Sequence, residues 1–348
     1  MISRGRLKYG VGMSGGVDSS VTASLLLQNG FDVFGVTMNI HDACEYPINE
    51  AKIVCQKLGI EHFVFDAKEA FSKSVIQTFI DSYAIGLTPN PCAICNRDIK
   101  MNLLFEFIMS KGADIMATGH YANICVDDDV VFLKEAADKK KDQSYFLSLV
   151  PRKNLRNIRF PLGEIESKSE TRRIAESIGL HNSKKKDSQD ICFLQGKNYK
   201  EFIKNSQEFA CGNIVLDETN EILGQHSGLF NYTTGQRRGL GISHNNPLYV
   251  VKLAHETNEV IVGARQRVAV NEFNALSMNW IMDAEDEFVA TVKLRSICQK
   301  TKAKITKLSE NLAKINLLEL QTSPVTNGQI CCIYDNLGRV IGAGVISY

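Results

Sequence analysis

Ser14-Gly15-Gly16-Val17-Asp18-Ser19-Ser20 follows a short apolar run and opens a helical pattern. Glycines at such a strand-to-helix turn let the backbone approach a phosphate, and the N–H groups of the helix N-terminus then face the anion. The serine hydroxyls add donors, and Asp18 can cap the helix or reach a cation. The Gly-Lys-Ser/Thr ending of a Walker A loop is missing. A second cluster is Thr88-Pro89-Asn90-Pro91-Cys92-Ala93-Ile94-Cys95-Asn96-Arg97. Its prolines oppose helix until after Pro91, so a helix is expected to start near Asn96, with Cys95 at its N-terminus. The dipole there favours thiolate, the form that attacks sulfur or carbon. Cys192 lies far downstream, behind Lys184, Lys185 and Lys186, whose charge acts in the same direction. On residue type alone the C-x-x-C spacing fits half a zinc site, a redox pair or buried thiols. No second such pair accompanies it, and His62, His120 and His181 lack zinc spacing.

The elements that must position these residues alternate in the first half of the chain. Strands are expected at Tyr9 to Met13, Phe31 to Met38, His62 to Phe65 and Ile115 to Ala117. Helices are expected at Ser19 to Gln28, Ile48 to Leu58, Lys68 to Tyr83 and Asn96 to Ser110. Such alternation predicts an α/β domain with a parallel sheet covered on both faces, over residues 1–200. Beyond it, short runs separated by turn residues such as Asn327-Gly328 predict a small central domain at 201–266 and a β-barrel-like domain at 267–348.

The 348 residues are 44% hydrophobic and 23% charged, a soluble and globular balance that exceeds one ordinary core. The basic segment from Met1 to Lys8 has no apolar stretch behind it, and no run suits a bilayer. A cytoplasmic, reducing setting is expected, so the clustered thiols among the ten cysteines read as reactive or metal-binding. Net charge is +1, yet seven basic residues face one acidic residue between Lys139 and Phe160. That patch fits a polyanion, or simply a solvated basic face.

The loop at Gly12 to Ser19 resembles the pyrophosphatase loop of the PP-loop ATP pyrophosphatases, which split ATP between its α and β phosphates. The resemblance implies a Mg²⁺-ATP site formed by Gly12, Met13, Ser14, Gly15, Gly16, Val17, Asp18 and Ser19, with Met38 and Gly119 completing an adenosine pocket. GMSGGVDSS, TPNPC-x-x-CN-R-x-IK, ATGHYA, KDQSYFL, KKKDS-x-x-ICF and TTGQRRGLGI occur in this order. Together they resemble the tRNA-specific 2-thiouridylase family over essentially the whole chain. That resemblance implies Cys95 as nucleophile and Cys192 as persulfide carrier, joined by a disulfide after each turnover. It implies Asn90, Pro91 and Cys92 at the target base. Contacts to tRNA are implied for His120, Lys141, Asp142, Gln143, Arg295, Ser296 and Gln329. A sulfur donor from a cysteine-desulfurase relay is also implied. The chain departs from the commoner pattern at Cys92, where many members have Asp. Some members with this C-x-x-C form suggest a [4Fe–4S] cluster held by Cys92, Cys95 and Cys192 as the alternative to a persulfide cycle.

Overall fold

The computed structural model describes residues 6–127, 130–180, 183, 190–319 and 324–348. His181, Lys184, Lys185 and Lys186 lie outside the described residues. Contacts divide the chain into two compact units. The first comprises Met1–Ser74, Cys92–Gln189 and Leu337–Val340; the second comprises Val75–Pro91, Asp190–Asn336 and Ile341–Tyr348.

In the first unit, β1 (Lys8–Gly12) leads into α1 (Val17–Gln28), β2 (Asp32–Asn39), α2 (Glu45–Leu58) and β3 (His62–Asp66). Strand β4 (Ile115–Thr118) precedes a hairpin of β5 (Asn123–Asp127) and β6 (Val130–Lys134), and β7 (Ile158–Arg159) follows. The parallel sheet has the order β3-β2-β1-β4-β7. Its central strands are short apolar runs because helices cover both faces, leaving no polar side to alternate toward. Val11, Val21, Ala51, Val54 and Ala117 are fully buried in the core beneath α1 and α2. The order reverses between β1 and β4, and ligands of open α/β sheets bind beyond the strand ends at such a reversal. The loop at Ser14 and the Gly119-His120 turn flank that point.

The helix carrying the C-x-x-C pair begins at Pro91, as α-helix Pro91–Cys95, and not near Asn96. Proline suits a first helical position, where its missing N–H has no partner to lose and its φ is already helical. Hydrogen bonding is π-type from Asn96 to Leu104 and α-helical again at Phe105–Ser110.

In the second unit, β8 (Gly212–Leu216), β9 (Ile222–His226), β10 (Tyr249–Ala254) and β11 (Glu259–Gly263) form a sheet of order β10-β11-β8-β9. Strands β12 (Glu272–Trp280), β13 (Glu287–Lys293), β14 (Thr301–Ser309), β15 (Leu312–Leu317), β16 (Ile330–Tyr334) and β17 (Val340–Ser347) close into a barrel. Closure leaves no unpaired strand edge, and Ile305, Ile315, Cys331 and Ile333 fill the interior. The architecture is thus the expected one: an N-terminal parallel sheet, a small central sheet and a C-terminal barrel. Among the described residues no helix is long and apolar enough to cross a membrane.

Candidate active site

The turn after β1 is built for an anion. Gly15 takes φ +68°, and Gly16 caps α1 from an extended conformation without a side-chain hydrogen bond. The first-turn amides of Val17, Asp18 and Ser19 therefore lack a side-chain cap, the state in which a helix N-terminus accepts phosphate. The Ser14 N–H donates to Ser19 Oγ at 3.2 Å, and the two hydroxyls lie 3.3 Å apart. Met13 is buried, with its N–H on Val36 O at 2.8 Å, which ties the loop to β2. Met38 is half-buried near the end of β2, in register with Phe65.

Asp18 is the charged centre of this region. Its Oδ1 accepts from Lys168 Nζ at 2.5 Å and from the Tyr121 hydroxyl at 3.0 Å. The lysine side chain is only 12% exposed, and its ammonium lies 5.5 Å from the Tyr121 ring centroid. Having donated to Asp18, the Tyr121 hydroxyl accepts from Thr171 Oγ1 at 2.8 Å. Lys168 begins a helix, Lys168–Ser177, that Ser167 caps by accepting from the Glu170 N–H. Sequence reasoning missed Lys168; the Ser-x-x-Glu capping box marks the helix start but not the sheet end it faces. A divalent cation fits this site: Asp18 supplies a carboxylate, and Mg²⁺ takes most of its ligands from water and phosphate.

Gly119, expected in an adenosine pocket, packs against the loop itself. A Cβ there would lie 2.7 Å from both the Asp18 carbonyl carbon and the Ser19 nitrogen. The next residue, His120, is half-buried, with Nδ1 2.7 Å from Thr118 Oγ1 and Nε2 3.5 Å from Lys100 Nζ. An ammonium can only donate, so Nε2 is the acceptor and the ring proton sits on Nδ1, facing Thr118. Burial first, then the Lys100 charge, holds this imidazole well below its ordinary pKa. It is neutral at physiological pH.

Of the three cysteines expected to be functional, Cys95 is buried at 7% exposure, one turn inside its helix. Cys92 sits in the first turn and is exposed. Surrounding protein pushes its thiol pKa up, and the Lys100 ammonium pulls it partly back. Asn90 and Pro91, expected beside the target base, are buried. Cys192 opens the 3₁₀ turn Cys192–Leu194 and is exposed. The turn is anchored by Phe193, whose ring packs edge-on against Phe79 at 5.3 Å and lies 5.4 Å from Phe202. Cys95 belongs to the first unit and Cys192 to the second. Among the described residues no three His, Cys, Asp or Glu side chains are grouped as a metal site.

The residues expected at tRNA divide in two. Lys141 and Ser296 are half-exposed on the surface. Asp142, by contrast, accepts from the N–H groups of Ala136 and Ser144 and from the Ser144 hydroxyl. Burial raises its carboxyl pKa against those bonds. Gln143 pairs with the Tyr121 backbone, Oε1 accepting at 2.9 Å and N–H donating at 2.7 Å, and so braces the tyrosine that holds Asp18. The Arg295 guanidinium donates to Thr326 Oγ1, while its buried Nε meets no acceptor among the described residues. The Gln329 amide donates to the carbonyls of Thr88 and Pro89.

Three family models match in succession: the tRNA methyl transferase HUP domain over residues 7–196, the tRNA methyl transferase PRC-barrel domain over 200–264, and the aminomethyltransferase beta-barrel domain over 270–346. The chain is 42% identical to the tRNA-specific 2-thiouridylase MnmA of Rickettsia rickettsii (strain Sheila Smith), covering 97% of this chain and 96% of the relative. It is likewise 42% identical to the protein of that name from Rickettsia prowazekii (strain Madrid E), covering 97% and 98%.

Proposed function

Because the chain belongs to the tRNA-specific 2-thiouridylase family, we propose that it binds ATP at residues 12–19 and uses it to activate the C2 oxygen of a tRNA wobble uridine. The enzyme is an ATP-dependent tRNA uridine 2-sulfurtransferase. The observation that carries the mechanism is the uncapped α1 N-terminus with Asp18 and Lys168 beside it.

Uridine C2 is unreactive toward sulfur because its oxygen is a poor leaving group. The C2 oxygen attacks the α phosphorus of ATP, pyrophosphate leaves, and the oxygen now belongs to an adenylate. The α1 amides and Lys168 are placed to counter the charge that develops on the phosphates. Mg²⁺, when bound, neutralises phosphate charge, with Asp18 as its protein ligand. The base must leave the stacked anticodon loop to reach this point.

Sulfur arrives as a persulfide on Cys192, whose exposure suits loading by a cysteine-desulfurase relay protein. The terminal persulfide sulfur attacks C2 and AMP departs. The Cys95 thiolate then attacks the Cys192 sulfur, releasing 2-thiouridine and leaving a Cys95–Cys192 disulfide. Alternatively Cys95 frees the sulfur first as hydrosulfide, with the same disulfide as product. An external dithiol supplies the two electrons that restore both thiols. Lys141 and the lysines at 184–186 attract the tRNA backbone, and Gly119 supports the adenosine end of the site. Residues 1–200 act as the catalytic domain, 201–266 as a small central domain and 267–348 as a tRNA-contacting domain, in the cytoplasm.

Incubating the enzyme with ATP, tRNA and a persulfide donor tests this reading. Mass spectrometry of tRNA nucleosides is expected to find 2-thiouridine, with AMP and pyrophosphate formed alongside. Cys95→Ser and Cys192→Ser are each expected to abolish it. ADP as the nucleotide product, or thiolation surviving both substitutions, refutes it.

A further inference from the structure

The segment Thr88-Pro89-Asn90-Pro91 delivers the chain to the cysteine helix. Pro89 and Pro91 have no N–H to donate, and the helix begins only at Pro91, so local helical bonding does not secure the stretch before it. Buried carbonyls in such a stretch need donors from elsewhere. They come from the barrel loop ahead of β16, which lies in the same unit. Gln329 Nε2 donates to Thr88 O at 2.9 Å and to Pro89 O at 3.3 Å, across 241 positions of sequence in the first case. In return the Thr88 N–H donates to Asn327 O at 2.9 Å. Gly328, at φ +88°, sits so close that a Cβ would lie 2.9 Å from Thr88 N and 3.1 Å from Thr88 O.

The gripping loop is itself braced. The Gly328 N–H donates to Ile346 O at 3.0 Å, and Ile346 N–H donates to Gln329 O at 2.8 Å. The Asn327 side chain exchanges hydrogen bonds with the Tyr348 backbone, at 3.2 and 3.0 Å. Arg295 holds Thr326 just upstream. Three consecutive barrel residues thus clasp two residues of the proline segment from a loop that β17 keeps in place.

We propose that Gln329 is a positioning residue for sulfur transfer: through the Thr88 and Pro89 carbonyls it fixes the start of the helix that presents Cys92 and Cys95. Its role lies in the enzyme rather than on tRNA. The catalytic half of this inference rests on Cys95 acting as proposed above; the clasp does not.

The test uses the full-length enzyme carrying Gln329→Ala, and Gln329→Glu, which keeps the shape but loses the amide donor. Steady-state thiouridine formation gives kcat and KM for tRNA, and hydrogen–deuterium exchange is followed in peptides spanning 87–95. Both variants are expected to lower kcat about tenfold with KM for tRNA within about twofold, and to speed exchange at Thr88 and in the first helical turn. A rise in KM of about tenfold with kcat and exchange unchanged would make Gln329 a tRNA contact and overturn the proposal. No change in any of the three overturns it too. Should Gln329→Ala fail to fold, Gln329→Glu alone decides. If the wild type makes no thiouridine, the function fails, while the exchange measurement still judges the clasp.

Discussion

The loop at the end of β1 and the polar residues expected on tRNA make an instructive pair. In the loop, the groups proposed to meet phosphate belong to the backbone: uncapped amides, a left-handed glycine and a tight strand-to-helix turn within one contiguous stretch. The expected tRNA residues are side chains scattered from His120 to Gln329, and five of them use their polar groups inside the protein, His120 on Thr118 and Arg295 on Thr326 among them. Asp142 organises its own loop, Gln143 braces Tyr121, and Gln329 grips the proline segment. A motif that works through backbone geometry declares its partner locally. A motif of side chains declares only that those side chains are needed.

Four measurements press on that contrast. The largest effect is expected for Asp18→Ala, which should reduce thiouridine formation about 10³-fold by removing the charge that Lys168 and Tyr121 converge on. Its tRNA affinity should stay within about twofold, since no backbone phosphate contact is lost. A weakened tRNA affinity with pyrophosphate release intact would erase the distinction between the two regions.

Lys168→Met should lower the rate about 10²-fold, with the loss in pyrophosphate formation rather than in the later sulfur step. Wild-type pyrophosphate kinetics in this variant would mean that the ion pair only supports the fold.

Gln143→Ala and Lys141→Ala separate inward from outward roles within one motif. Gln143→Ala should reduce kcat about tenfold through Tyr121 and leave the salt dependence of tRNA binding alone. Lys141→Ala should cost about threefold in affinity and flatten the salt slope by about one unit. The reverse pattern would place Gln143 on the RNA.

The smallest effect concerns stability. Burial lowers the pKa of His62, His120 and His226 below the ordinary 6.5. The unfolded chain therefore takes up these protons first, and stability falls as pH drops through that value. The thermal midpoint should decline by a few degrees between pH 7.5 and 5.5. Asp142, whose carboxyl is raised, works in the opposite sense at lower pH. A flat midpoint across the window would mean these rings are wetter than their packing indicates.

Much of the fold could be read from local pattern, because β1 to β4 are apolar runs punctuated by turns. What escaped reading had physical causes. Strand β17 contains Gly342 and Gly344, which look like turn residues but sit where a Cβ would strike β12. Strand β12 is broken in pattern by Ser277 at φ +50°. Pro91 looked like a barrier to helix and is its first residue. Lys168 reaches Asp18 across 150 positions, a proximity that no spacing encodes.

Gly119 limits how such a chain drifts. The two nearest atoms a side chain would strike are backbone and the third is the Asp18 Cβ, so no rotamer change makes room, and every substitution of this glycine meets the same obstacle. The end of β4 and the start of α1 are therefore locked together sterically. A shift in one survives only beside a matching shift in the other.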